Sequence, residues 1–506
     1  MRWTLNALKV EAGLSLGRKT IACRSRGRPK GEGGSIMSTS GVSNPFDRIR
    51  HGLDSWLVED TSSGRFMLDR AIFTDPELFA LEMKHIFERN WVFLAHESQL
   101  ANESAFLTLT IGRQPVLLTR NRSGELKCFI NACTHRGARL CREKRGRRAT
   151  FTCPFHGWTF SNDGALLNVT DEENGAYPEH FDRSDLGLRE VGRLESYKGF
   201  VFASLSEDVP PLSDYLAGTK TFIDLMVDQS PEGKLEIIRG VGRYTYRGNW
   251  KMQTENGLDG YHVPTVHSNY LLTVANRMTG GSTNTTKSAN VSAWMKTDQG
   301  GFFSFDHGHA LIWNASASSA SRPNFEFVDQ YKRKFGEERS RWMTETTRNL
   351  LLFPNVFLMD QVSTQVRIVR PISVDETEIT TYCIAPVGES ARARAMRIRQ
   401  YEDFFNASGM ATPDDLTEFN NCQIAYGRDG GRYNDLSRGA TRSVQGSGKF
   451  GKGLNIDATM SSINVADEGL FVTMHKEWIE RMKHAIAQER AEASLTREND
   501  RSRAAE

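Results

Sequence analysis

Apolar positions change period along the chain, and the changes mark its elements. Leu107, Leu109 and Ile111 alternate with threonines, the two-residue period of a strand buried on one face. Short runs of that kind recur from Trp91 to about Leu205, so this stretch is predicted to be strand-rich. Gly242 to Gly248, Val356 to Pro371 and Glu376 to Ile384 read as further strands. Elsewhere the spacing is helical. Phe79, Met83 and Ile86 form one stripe over 74–90, and Thr74-Asp-Pro-Glu77 ahead of it reads as a capping box with proline in the first turn. Arg392 to Asn406 reads as a helix ending at Gly409. Trp478, Met482 and Ile486 predict a helix near 475–490 that faces a core rather than a cofactor. Thr412-Pro-Asp414-Asp415 reads as a helix start with Thr412 as N-cap.

Composition narrows the class. At 506 residues, two or three domains are expected. A formal net charge of +2 implies no general attraction to nucleic acid or to a membrane surface. No apolar run approaches the roughly twenty residues of a membrane span. Seven cysteines fit a reducing, cytoplasmic setting better than a disulfide framework. Residues 1–45 are basic and set apart: eight Lys and Arg residues, from Arg2 to Lys30, face only Glu11 and Glu32. They are expected to be a disordered tail rather than a transit peptide, with the working chain starting near Met37. Pro210-Pro211 marks a linker, 271–300 reads as a loop that could cover a site, and the charged residues 491–506 are expected to fray.

The chemistry lies in two clusters. Cys133-Thr-His135 is followed, after 17 residues, by Cys153-Pro-Phe-His156. Each short motif offers one sulfur and one imidazole. A Rieske [2Fe-2S] centre needs that mixture, because two Cys hold one iron and two His the other. A zinc module would more often pair Cys with Cys and His with His. Gly137 and Gly157 allow tight backbone beside the sulfurs. In the second cluster, Asn256-Gly-Leu-Asp259-Gly-Tyr-His262-Val-Pro264-Thr-Val-His267, Asp259 and His262 share a face if helical. A break at Pro264 could then aim His262 and His267 at one point. Two imidazoles and a carboxylate with positions left open suit non-haem iron(II). Two unrelated histidines at a helix end remain the alternative.

Cys-x-His-Arg-Gly, Cys-Pro-x-His-Gly-Trp, Asn-Trp-Lys and Glu-Asn-x-x-Asp-x-Tyr-His-x-x-x-x-His together resemble the large (alpha) subunit of Rieske non-haem iron ring-hydroxylating dioxygenases, over about residues 46–490. Blocks such as Gly112-Arg-Gln-Pro and Met359-Asp-Gln are similar to the benzoate/toluate and anthranilate 1,2-dioxygenase branch. The resemblance implies an α+β chain: an all-β Rieske domain at 91–205 and a helix-grip catalytic domain, an antiparallel sheet with covering helices, at 206–490 joined by the helical part 46–90. It implies Cys133, His135, Cys153 and His156 as cluster ligands, and His262 and His267 as iron ligands. Asp415 would be the third iron ligand, although an acid there is equally expected from helix capping. His307 and His309 are expected to be structural. Asp259 would link the iron site to the cluster of a neighbouring subunit, and the role of Asn256 is left unassigned.

The implied activity is cis-dihydroxylation of an aromatic carboxylate at ring carbons 1 and 2. It uses O2 and electrons from NADH through a flavin/iron-sulfur reductase. A small (beta) subunit and an alpha3beta3 hexamer are implied as well. Anthranilate, 2-halobenzoate or salicylate as substrate, or a monooxygenase outcome, are the alternatives. Arg247, Arg367 and Arg370 are all available to meet a substrate carboxylate. A pure electron carrier would not need the His262/His267 pair, and a zinc-stabilised interaction module would not favour mixed Cys/His motifs.

Overall fold

The structure, a computed structural model, describes residues 55–505 except 61, 179, 271, 274–299, 317–318, 362 and 429. The basic tail and nearly all of the expected loop at 271–300 lie outside the described residues. The fold is α+β. Among the described residues no helix is long and apolar enough to cross a membrane.

The strand-rich part begins with β1 (Val92–His96), β2 (Ala105–Ile111), β3 (Gln114–Arg120) and β4 (Leu126–Ile130), and the last three pair in order in one antiparallel sheet. The alternating leucines of β2 therefore do form a strand. A hairpin of β5 (Thr150–Thr152) and β6 (Thr159–Ser161) follows. This part has its own core, with Phe106, Leu117, Phe129, Phe151, Trp158 and Phe160 all buried. It closes on β7 (Phe200–Ser204), which pairs back onto β1, Phe200 opposite His96.

A ten-stranded antiparallel sheet forms the second part. Its strands nearest the site are β8 (Gly242–Tyr246), β9 (Val356–Asp360), β10 (Thr364–Ser373) and β11 (Glu376–Pro386). The single strand predicted over Val356 to Pro371 is two strands that pair antiparallel with each other, Phe357 opposite Arg367. A run buried on both sides carries no periodic mark of such a reversal.

Helices cover this sheet. The predicted helix over 74–90 starts as α1 (Pro76–Glu82). Its cap is Asp75 rather than Thr74, and Asp75 Oδ1 accepts from the Glu77 and Leu78 amides at 2.8 and 3.2 Å. The residue before a proline is held extended, which is the conformation an N-cap needs. The helix then widens into a π-helical stretch at Met83–Glu88. The helix predicted near 475–490 runs over Gly469–Ala505, so the expected frayed tail is helical. Its Ala, Glu and Arg residues are strong helix formers, and Glu489 reaches Lys84 at 2.5 Å.

One buried polar cluster ties these helices to the segment that carries the second site. Glu82 and Lys251 are fully buried and form an ion pair. Glu82 also accepts from the indole N–H groups of Trp250 and Trp478, each at 2.8 Å. Three donors on one carboxylate offset its loss of water, which an isolated charge could not survive.

Candidate metal centres

The two Cys/His loops have the same backbone design. Cys133 N–H donates to Ala138 C=O at 2.8 Å and Cys153 N–H to Trp158 C=O at 2.7 Å. The glycine four residues after each cysteine returns its N–H to that cysteine's carbonyl, at 2.8 Å for Gly137 and 3.0 Å for Gly157. Both glycines have positive φ, 73° and 77°, which closes the turn. β4 leads into the first loop, and the second is the tip of the β5–β6 hairpin.

Both cysteines are buried, while the His135 and His156 rings stand edge to face with centroids 4.7 Å apart. His135 stacks on the indole of Trp158 at 4.8 Å. Burial pushes the Cys133 thiol up, whereas the His135 and Arg136 amides aimed at its sulfur favour the thiolate. The His135 Nδ1 atom is buried with no hydrogen-bond partner. A buried polar atom without a partner is costly, so this atom fits a metal ligand. The two sulfurs and two imidazoles suit a [2Fe-2S] unit better than a tetrahedral ion with paired motifs.

The second site departs from the helical reading of its sequence. α2 (Trp250–Asn256) ends before Asp259, with Gly257 at its C-cap, pressed so closely against the Phe357 ring that no side chain would fit there. Pro264 does not break a helix. It sits in the first turn of the one-turn helix α3 (Val263–Val266), with His262 at its N-cap and His267 at its C-cap. One turn is therefore what converges the two rings. Asp259 lies in the connecting turn, where its Oδ1 accepts from the Tyr261 amide at 2.6 Å and approaches that of His262 at 3.4 Å.

The third corner comes from far along the chain. After α4 (Ala391–Phe404), α5 (Thr412–Tyr426) brings in Asp415. Thr412 is not its cap, because its hydroxyl donates to Phe405 C=O at 3.1 Å instead. Asp415 Oδ1 lies 3.5 Å from His262 Nε2 and 3.3 Å from His267 Nε2, and those two nitrogens are 3.3 Å apart. Donors held about 2 Å from one ion stand roughly 3 to 3.5 Å apart, so the triangle fits a divalent metal. Among the described residues these three are the only metal-competent group of His, Cys, Asp and Glu side chains that meets at one point. Asp414 faces away from that triangle, with its Oδ2 4.0 Å from His267 Nδ1.

The surroundings tune this triangle. Asp259 Oδ2 stands 3.1 Å from His262 Nδ1. Burial pulls His262 down, but Asp259 and Asp415 outweigh it and hold the imidazole above its ordinary range. Burial lowers His267, helped by His262 and Arg367. Two side chains that the sequence left unassigned also reach the site. Asn256 Nδ2 donates to Asp415 Oδ1 at 3.2 Å, and Glu468 is pushed up to about 7 by burial and by nearby Asp259. Asn256 follows from the turn that folds α2 back, which spacing alone does not reveal. His309 is structural as expected: it is fully buried, its Nε2 meets Tyr215 C=O at 2.8 Å and its Nδ1 accepts from Phe353 N–H at 2.9 Å. Burial pushes it down to about 3, so it is neutral.

Comparison with known proteins agrees with both centres. Residues 90–195 match the Rieske [2Fe-2S] domain, and residues 235–483 match the ring hydroxylating alpha subunit catalytic domain. The chain is 50% identical to the toluate 1,2-dioxygenase alpha subunit of Pseudomonas putida, over 86% of this chain and 95% of the relative. It is 48% identical to the 2-halobenzoate 1,2-dioxygenase large subunit of Burkholderia cepacia, over 87% and 94%. In fold it resembles naphthalene 1,2-dioxygenase from Rhodococcus, with a TM-score of 0.74 at 24% identity, over 86% of this chain and 98% of that one. A Rieske domain with two Cys/His loops, followed by a catalytic domain with a His-His-Asp triangle, places this chain in the alpha-subunit family of Rieske ring-hydroxylating dioxygenases.

Proposed function

We propose that this chain is the large subunit of a terminal oxygenase that cis-dihydroxylates a benzoate-type aromatic carboxylate at ring carbons 1 and 2. Electrons come from NADH through a flavin/iron-sulfur reductase. In this reading Cys133, His135, Cys153 and His156 hold the cluster in the 91–205 domain. His262, His267 and Asp415 hold iron(II) in the catalytic domain of 206–490, to which residues 46–90 also belong. Held by these residues, the cluster would supply single electrons and the iron would supply the chemistry for activating O2. The protein's own work is positional. Asn256 fixes the carboxylate of Asp415, and Asp259 fixes the His262 ring from behind, as outer-shell partners do.

The observation that carries the reading is the His262, His267 and Asp415 triangle, in a chain that also holds the twin Cys/His loops. Asp259 keeps a partly exposed carboxylate, and Phe155 beside His156 is 57% exposed. Exposed chemistry at both centres supports electron transfer between subunits, with Asp259 receiving the partner's cluster histidine. An alpha3beta3 hexamer with a small beta subunit, in the cytoplasm, completes the proposal. The six cysteines among the described residues are all free, in keeping with a reducing setting.

The deciding experiment is a panel of benzoate, toluates, anthranilate, 2-halobenzoates and salicylate with reconstituted reductase, scored by product and by O2 uptake coupled to NADH. A cis-diol acid from benzoate is the expected result. Catechol from anthranilate alone, or a singly hydroxylated product, would replace it with one of the other readings. A His262→Ala variant should lose iron while keeping the cluster's reduced-state EPR signal, and an oxygenase that keeps its iron would overturn the ligand assignment.

A further inference from the structure

Among the described residues four arginines are buried: Arg322, Arg348, Arg367 and Arg397. Arg322 and Arg348 share Asp360, and Arg397 pairs with Glu389. Arg367, 5% exposed, has no carboxylate partner among the described residues. Its guanidinium lies over the Phe405 ring at 5.7 Å. The Gln365 carboxamide oxygen, in the orientation that satisfies both of its ends, accepts from Arg367 Nε and Nη2 at 3.3 Å. The Nη1 side of the fork has no acceptor among the described residues. A buried cation without a counter-charge is expensive, and a guanidinium edge matches a carboxylate in shape and charge.

Its position gives that edge a purpose. Arg367 on β10 is opposite Phe357 on β9 and Thr381 on β11, and Thr381 is opposite Gly242 on β8. Strand periodicity puts Tyr244, two residues past Gly242, on the same face. That is the face against which the iron-site segment packs, since Phe357 touches Gly257. β8 also packs on α5 through Tyr246 and Phe419, 4.9 Å apart, one helical turn beyond Asp415. The Tyr244 hydroxyl is itself buried with no partner. Two orphaned donors thus flank the metal triangle from one sheet face. The other two candidate arginines do not qualify: Arg370 pairs with Glu378 at 2.9 Å, and Arg247 is exposed.

We propose that Arg367, assisted by the Tyr244 hydroxyl, binds the carboxylate of the aromatic substrate and so sets which ring carbons face the iron. This rests on the aromatic-acid reading above. The test is calorimetric binding to the intact oxygenase, with benzoate as probe and benzamide as its neutral counterpart. Arg367→Gln should weaken benzoate about 30-fold or more and benzamide less than about threefold, the range for one charged hydrogen-bonded contact. Arg367→Lys should fall between, and Tyr244→Phe, which removes one oxygen only, should weaken benzoate about threefold to tenfold. Iron content and cluster absorbance at native levels establish that the variants are folded. Benzoate binding within threefold of native in Arg367→Gln, or equal weakening of benzoate and benzamide, overturns the proposal while leaving the aromatic-acid reading intact. A native enzyme that binds no aromatic acid overturns both.

Discussion

The four proposed cluster donors all lie within residues 133–156, and hydrogen bonds inside each loop set its shape. The candidate iron triangle joins His262 and His267 to Asp415, which lies 153 and 148 residues further along the chain, and tertiary packing sets its shape. Local backbone design gives a site that depends on few neighbours. Assembly from distant segments gives one that depends on the whole core around α2, α5 and α6 (Gly469–Ala505). The two centres should therefore fail for different reasons.

The largest predicted effect is remote from both metals. Glu82→Ala leaves the Lys251 ammonium buried without its partner, at a cost of about 3–5 kcal/mol. Iron occupancy and the denaturation midpoint should fall together while cluster absorbance per folded molecule holds. Equal loss of iron and cluster would erase the contrast drawn here. The converse substitution is Gly157→Ala. It places a side chain at φ 77° and 2.4 Å from the Thr170 hydroxyl, for about 2–3 kcal/mol of strain and crowding. Cluster content should drop and iron content should not.

Acid should act on the catalytic core. His309 has a folded pKa of about 3 against an ordinary 6.5. Below pH 6.5 the unfolded chain binds a proton that the folded chain refuses, so stability falls as pH drops from 6.5 towards 3 and is unaffected above. At pH 5.5 this single group costs about 1.4 kcal/mol. Urea titrations at pH 7 and 5.5 should show that loss, and His309→Gln should remove that part of it. The smallest effect belongs to Gly137→Ala. It has the same positive φ as Gly157 but open space around its Cβ, so only about 1 kcal/mol of backbone strain is expected. A cluster as badly damaged as in Gly157→Ala would mean that the two loops are not equivalent in load.

The same contrast explains what could be read in advance. Cys133, His135, Cys153 and His156 could be proposed from sequence because motif and candidate site coincide along the chain. His262 and His267 are legible as a pair, but not the one-turn helix between them, because Gly257 ends α2 through contact with Phe357, a residue 100 positions away. Asp415 could be chosen over Asp414 only through resemblance, since capping favours an acid at either position. Nothing in spacing separates Arg367 from Arg247 and Arg370. Their difference is burial and the lack of a partner, and both depend on the sheet register.

The pairing of β1 with β7 has a practical consequence. The chain enters and leaves the cluster-bearing part side by side, at His96 and Phe200. A unit with adjacent ends can be exchanged as a cassette without moving its host. A transplant of the matching segment from a relative is expected to alter the midpoint potential and the choice of electron donor, while the product spectrum stays with the recipient.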